Sequence, residues 1–306
     1  MDVICAAHIE KRFGTRRGVE GVTLSVGQGQ CIGILGANGS GKTTLTRLIA
    51  GLDRLDGGSL RVLGHPACPR PLHVRRRCGI ALDTPAHWET LSGRQNLSFF
   101  GRQYGLAGAA LKARVDALLS EADLTAQADE PVAAYSFGMR RKLAILQAMA
   151  HEPELLILDE PSAGVDTAFL DRLSQAIRRR CQDGHTTWIA DNDADWLART
   201  ATDAILLRNG RLCAVGRVAE LVAAAAARHR IDILLEASGF DAVPTIKGVY
   251  AFACEGKQIT AHVDGDPALP AELAAWVVSC GGRIRTMDVR AITLSDALNQ
   301  RAEAAL

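Results

Sequence analysis

One segment constrains this chain more than any other: Gly36-Ala37-Asn38-Gly39-Ser40-Gly41-Lys42-Thr43, which fits G-x-x-x-x-G-K-[ST] in full. The apolar run before it, Cys31-Ile32-Gly33-Ile34-Leu35, reads as a strand buried on both faces. After it a helix is predicted from Lys42 to about Ala50, closed by Gly51. The chemistry explains the spacing. Glycines let the loop wrap so that successive backbone N–H groups point at phosphate oxygens, and the following helix adds its positive N-terminus. Lys42 supplies a point charge for the β- and γ-phosphates of a nucleotide, and the Thr43 hydroxyl a ligand for Mg²⁺. Thr44 completes the nucleotide-binding set.

A second apolar run, Leu155-Leu156-Ile157-Leu158, delivers two carboxylates, Asp159 and Glu160, at the strand end where ligands sit in open α/β sheets. Asp159 can hold the magnesium, directly or through water. Glu160 can accept a proton from the attacking water, which separates a hydrolase from a mere nucleotide binder. An apolar strand ending in acidic residues is common; the phosphate loop upstream gives this one its meaning. A strand at Val22 to Val26, a helix near Phe169 to Arg180, a strand at Thr186 to Ile189 and a hairpin around Asn209-Gly210 complete an alternating α/β pattern. Residues from about 85 to 150 interrupt it with helical periodicity.

The third element is Tyr135-Ser136-Phe137-Gly138-Met139-Arg140-Arg141-Lys142-Leu143, opening a helix through Met149. A hydroxyl, a flexible backbone and a helix N-terminus together make a second anion site, although Ser136 is equally a plain N-cap. The segment resembles the signature loop of ABC ATPases, whose usual form is L-S-G-G-Q, and it stands between the other two elements in that family's order. The resemblance covers about the first 230 residues. It implies a P-loop NTPase ABC cassette, with a RecA-like core, an antiparallel β subdomain and a helical subdomain at about 85–150. It also implies ATP and Mg²⁺ as ligands. Ser136, Phe137, Gly138 and Met139 are then expected to meet the γ-phosphate held by the opposite cassette of a homodimer or heterodimer. Asp166 falls in the place of the family's cross-dimer Asp, or is a helix cap. Phe13 falls where an aromatic ring stacks on adenine, or is an ordinary core residue.

Two positions depart from the family pattern. Asp83 stands where a Gln contacts Mg²⁺ and the attacking water. Asn192 stands in the place of the switch His, and it donates a hydrogen bond but carries no proton charge at any pH. Binding is therefore expected to be intact and hydrolysis slow.

Beyond residue 230 the order strand (231–237), strand (248–254), strand (258–263), helix (270–279), strand (282–289), helix (294–302) suits a small α+β domain at 230–306. The Ala-rich stretch from Val218 to Arg230 reads as a helical bridge. Ile292-Thr293-Leu294-Ser295-Asp296-Ala297-Leu298 is similar to a segment in the C-terminal extension of ABC-2-type exporter ATPases. That likeness favours export.

Composition limits the alternatives. Lys and Arg at 35 against Asp and Glu at 34 give +1, without the basic excess that bulk nucleic-acid binding needs. The clusters Arg75-Arg76-Arg77, Arg140-Arg141-Lys142 and Arg178-Arg179-Arg180 are expected to be solvated faces and loop ends. Eight cysteines without C-x-x-C spacing suggest reduced thiols, not a metal cluster. No run of about 18 apolar residues occurs and no signal-peptide layout opens the chain. The resemblance then implies a peripheral protein on the cytoplasmic face of the membrane, partnered by a separately encoded permease. About 93 residues separate Thr43 from Ser136, without heptads, which disfavours a soluble DNA-repair ABC ATPase carrying a coiled-coil insertion. A regulatory cassette that binds ATP but barely hydrolyses it stays open.

Overall fold

The computed structural model describes residues 2–14, 16–84, 86–224, 228–237, 240 and 242–304. The chain divides into two compact units, Met1–Val218 and Ala219–Leu306. That division falls earlier than the boundary at 229/230 expected from the sequence. Within the Ala-rich bridge a helix runs over Val218–Ala224, and residues 225–227 lie outside the described residues.

The first unit contains, in order, β1 (Asp2–Phe13), β2 (Arg16–Gly27), β3 (Cys31–Leu35), α1 (Lys42–Ala50), β4 (Gly57–Val62), β5 (His65–Pro66), α2 (Leu72–Arg75) and β6 (Cys78–Ala81). The helical insertion follows as α3 (Gly93–Gln103), α4 (Gly108–Glu121) and α5 (Phe137–Met149). The core then resumes with β7 (Leu155–Asp159), α6 (Thr167–Gln182), β8 (Thr186–Ala190), α7 (Ala194–Thr200), β9 (Asp203–Arg208) and β10 (Arg211–Arg217). Six strands form one sheet in the order β10-β9-β3-β8-β7-β6, and β1, β2, β4 and β5 form a separate antiparallel sheet.

The three central strands β3, β7 and β8 are buried at every residue, as near-continuous apolar runs in a parallel sheet should be. Their register matters for function. Ile34 pairs with Ala190, and Asp159 pairs with Ala190 on the other side, so the C-terminal ends of all three strands lie side by side. Helix α1 ends at Gly51, whose φ of 72° returns its N–H to the Arg47 and Leu48 carbonyls. Trp188 fills the space between β8 and α1, its indole N–H donating to Thr46 Oγ1 at 3.1 Å, so a large apolar ring is buried with its one donor satisfied.

The second unit begins within α8 (Val218–Ala224) and continues with β11 (His229–Leu235), β12 (Val249–Glu255), β13 (Gln258–Val263), α9 (Leu269–Ser279), β14 (Ile284–Ala291) and α10 (Leu294–Ala304). Its antiparallel sheet has the order β12-β13-β11-β14, and Ile231, Ile233, Ile259 and Ala261 pack with Leu273 and Val277 of α9. Asp296 of the exporter-like segment accepts hydrogen bonds from Thr293 N and Oγ1, both at 2.8 Å, and from Arg290 Nη1 at 3.0 Å. Burial pushes that carboxyl up, but its bonds to His262, Thr293 and Arg290 win and hold it far below the usual range. In return Thr293 Oγ1 accepts from Asp296 N at 3.2 Å, so the two residues close the first turn of α10, and Arg290 ties it to β14.

All eight cysteines are free thiols. Among the described residues no helix is long and apolar enough to cross a membrane.

Candidate functional site

The phosphate loop joins β3 to α1. Its last turn closes through Ser40 N to Ala37 O at 3.0 Å, and Gly41 has a φ of 106°. A Cβ at Gly41 would run into the Gly18 carbonyl oxygen, so only glycine lets the loop pack against β2. The hairpin turn Asn209-Gly210 braces the same spot: Gly210 N donates to Ser40 O at 2.8 Å, and Glu20 N to Gly210 O at 2.8 Å. Lys42 is 5% exposed, and its Nζ donates to Gly36 O at 2.6 Å and Ala37 O at 3.3 Å, threading the loop it follows. Burial lowers the Lys42 pKa, opposed by the nearby carboxylates Glu160, Asp159 and Asp191.

Asp159 ends β7. It is 1% exposed, yet neither carboxylate oxygen has a hydrogen-bond partner among the described residues. Burial pushes its pKa up to about 6; the Thr43 hydroxyl nearby pulls back, and the charges of Asp83 and Glu160 push further. A buried carboxylate with free lone pairs beside a phosphate loop has the chemistry to hold a cation. Glu160 follows in the left-handed region, φ 50°, with its N–H donating to Ala190 O at 2.7 Å. Asn192 Nδ2 donates to Glu160 Oε1 at 3.1 Å and to Asn38 Oδ1 at 3.5 Å, bridging the acidic strand end to the phosphate loop.

One cleft of about 610 Å³ is lined among others by Phe13, Asn38, Lys42, Thr43, Glu160 and Asn192, with Gly39, Gly41 and Thr44 also on its wall; Asp159 is buried behind it. Phe13 is 50% exposed there, so it is not a core residue. Gly18 lines the cleft too, and nothing in its sequence context signals that.

The remaining candidates lie elsewhere. Asp83 is exposed at the end of β6, outside the cleft wall, and its Oδ1 accepts from Thr84 N at 2.8 Å. Ser136 caps α5, accepting from Met139 N at 3.2 Å; Phe137 is exposed, and a Cβ on Gly138 would strike the Gly164 carbonyl oxygen. Asp166 caps α6, accepting from Phe169 N at 2.9 Å, and pairs with Lys142 Nζ at 2.5 Å. The Ser136–Met139 segment and Asp166 are thus neighbours, and none of them lines the cleft.

The family described as ABC transporter matches residues 19–163. A daunorubicin resistance ATP-binding protein of Streptomyces coeruleorubidus is 37% identical over 209 residues, covering 68% of this chain and 65% of that protein. Nod factor export ATP-binding protein I of Burkholderia orbicola is 30% identical over 272 residues, 86% of this chain and 90% of that protein. This chain belongs to the ABC transporter family. It is an ATP-binding cassette, the ATPase subunit of such a transporter. In three dimensions the solved ATP-binding subunit of an ABC transporter matches it with a TM-score of 0.67 at 26% identity, over 72% of this chain and 91% of that one. The match to the Nod factor export protein is longer than the first unit, so it reaches into the second.

One expectation about the cassette needs correction. Arg141, Lys142 and Arg180 are not solvated: they are 2%, 9% and 9% exposed. Arg141 Nη1 donates to Leu82 O at 2.6 Å and Asp159 O at 3.4 Å, Lys142 binds Ala122 O at 3.3 Å as well as Asp166, and Arg180 binds Pro153 O. Long cationic side chains here satisfy carbonyls at strand and helix ends, a use that a run of like charges does not reveal.

The Asp159 environment has a measurable consequence. Its folded pKa of about 6 lies above the unfolded value near 3.8, so the native state holds the proton more tightly. Its contribution to stability is therefore full below the unfolded value and is lost as pH rises through 6. The two-unit difference corresponds to about 3 kcal/mol. Asp159→Asn is expected to raise the melting temperature of the nucleotide-free cassette by on the order of 5 °C at pH 8. That gain should shrink as pH is lowered past 6. Equal gains at pH 8 and pH 5 in thermal melts would contradict the burial argument.

Proposed function

We propose that this cassette binds ATP with Mg²⁺ in the cleft, hydrolyses it between two head-to-tail copies, and powers export through a separate permease at the cytoplasmic face of the membrane. The observation that carries the reading is the buried, unpartnered Asp159 carboxylate between the phosphate loop and Glu160. Thr43, Asp159 and nucleotide phosphates suit magnesium, which takes few protein ligands and keeps waters, with Asp83 as a further carboxylate beyond the cleft wall. No cluster of three or more His, Cys, Asp or Glu able to hold a metal alone occurs among the described residues. Bound there, the ion would neutralise charge on the phosphate oxygens.

The chain's own residues do the rest. Backbone N–H groups of Gly36 to Thr43 and Lys42 hold the phosphates, and the half-exposed Phe13 ring offers adenine a stacking face. Glu160 takes the proton from the attacking water, and Asn192 donates a hydrogen bond toward the γ-phosphate. Ser136 to Met139 and Asp166 of the opposite cassette, identical or not, complete the site. Export is supported by the names of the relatives, which concern daunorubicin resistance and Nod factor export.

Calorimetry with ATP, with and without Mg²⁺, tests the binding step: heat that depends on the metal supports it, and no heat with either refutes it. A second reading, a regulatory cassette that closes on ATP without turning it over, draws on Asp83 lying outside the cleft and Asn192 lacking a titratable proton. Phosphate release separates the two. Asn192→His is expected to raise turnover several-fold, because a ring able to carry charge then faces both Glu160 and the γ-phosphate. Unchanged or lower turnover would show that Asn192 is not the limiting departure.

A further inference from the structure

Between the Glu160 and Asn192 loops lies a carboxylate that neither motif calls for. Asp191 is 1% exposed, and no cation bonds to it among the described residues. Its Oδ2 accepts from Ser162 N at 2.9 Å, and its Oδ1 from Ser162 Oγ at 2.6 Å and Asp193 N at 2.9 Å. Its own N–H donates to Ile34 O at 3.2 Å, on the strand that enters the phosphate loop. A circuit closes around it through Glu160 N to Ala190 O and Asn192 Nδ2 to Glu160 Oε1. Neutral donors do not cancel a buried charge; they fix its position through short, charge-assisted bonds. Something must fix this region, because Glu160 sits at φ 50°, a strained conformation that persists only where the surroundings over-determine it.

We infer that Asp191 is a positioning residue for hydrolysis: by gripping Ser162 and Asp193 it clamps the loop after Glu160 to the loop bearing Asn192, and so sets where the Glu160 carboxylate stands. The inference rests on Glu160 being the base. Asp191→Ala and Ser162→Ala are expected to lower kcat at least tenfold, as roughly ångström-scale misplacement of a catalytic group does. KM for ATP should not rise and calorimetric affinity should not weaken, since the phosphate loop keeps its own bonds and the charge that Asp191→Ala removes is an acid near Lys42. The double variant should lose no more than Asp191→Ala alone, because the one bond that Ser162→Ala removes is among the three that Asp191→Ala removes. Asp191→Asn, which retains one acceptor oxygen for the Ser162 hydroxyl, should recover part of kcat. In a Glu160→Gln background Asp191→Ala should add no further loss.

A merely structural role reads differently: KM and melting temperature would fall out of line together with kcat, and the loss would persist in the Glu160→Gln background. Either result overturns the clamp. Parental kcat in both single variants, with Glu160→Gln inactive, overturns it while leaving the base in place; parental turnover in Glu160→Gln overturns both. Should Asp191→Ala not fold, Ser162→Ala decides alone, since its side chain is only partly buried.

Discussion

Glu160→Gln is expected to lower ATP turnover by about 10²- to 10⁴-fold, the contribution of a positioned general base, while ATP binding stays in place. The substitution isolates chemistry from geometry. Gln has the same length, and its amide oxygen can still accept from Asn192 Nδ2, which donates to Glu160 Oε1 at 3.1 Å in the parent. The backbone bond from residue 160 to Ala190 O, 2.7 Å, involves no side chain. What disappears is the one property an amide lacks, the capacity to take a proton near neutral pH. A cassette that binds ATP but cannot cleave it should then accumulate as the closed pair, seen as a dimer by size exclusion with Mg-ATP and a monomer without it. Turnover within tenfold of the parent would mean that the base is elsewhere.

The parts of this site that were legible in sequence are those where local chemistry and local geometry coincide. The phosphate loop is contiguous, its glycines and lysine act within eight positions, and its flanking strand and helix fall on Cys31–Leu35 and Lys42–Ala50 as expected. The buried strand β7 announced itself as an apolar run, β8 as a β-branched and aromatic one, and the Asn209-Gly210 turn by its two residues that accept positive φ. In the second unit the order of strands and helices was readable from alternation alone.

What escaped reading depends on contacts between distant segments. Strand β1 shows no clean alternation because its register against β2 shifts repeatedly and His8 sits at φ 48°, so its apolar residues change face along the strand. Gly18 touches Gly41 and lines the cleft only because β2 and the Asn209-Gly210 turn converge there. Arg141 looks like one charge in a basic run, yet it is buried between Leu82 O and Asp159 O. Asp191 carries no signal in sequence, because the Ser162 hydroxyl it accepts from is 29 positions away. Asp83 shows the same limit: its Oδ1 accepts from Thr84 N, and only the fold brings its charge near Asp159.

Lys42→Ala is expected to weaken ATP binding by about 2–5 kcal/mol, roughly 30- to 5000-fold, the usual loss when one partner of a buried charged contact is truncated. The figure follows from where the ammonium is. It is 5% exposed, so water does not screen it, and its attachment to Gly36 O and Ala37 O holds it inside the loop. Three carboxylates, Asp159, Glu160 and Asp191, act on it at once. Removing Lys42 therefore does two things in the same direction: the phosphates lose a cation, and they meet acidic neighbours whose charge is no longer offset. Lys42→Arg should rescue little, because a planar guanidinium cannot occupy the point position that a compact ammonium fills beneath the loop. Raising ionic strength should not restore affinity in either variant, since the contact is buried and weakly screened. Calorimetric titration with Mg-ATP decides it: affinity within threefold of the parent in Lys42→Ala would remove the phosphates from this loop.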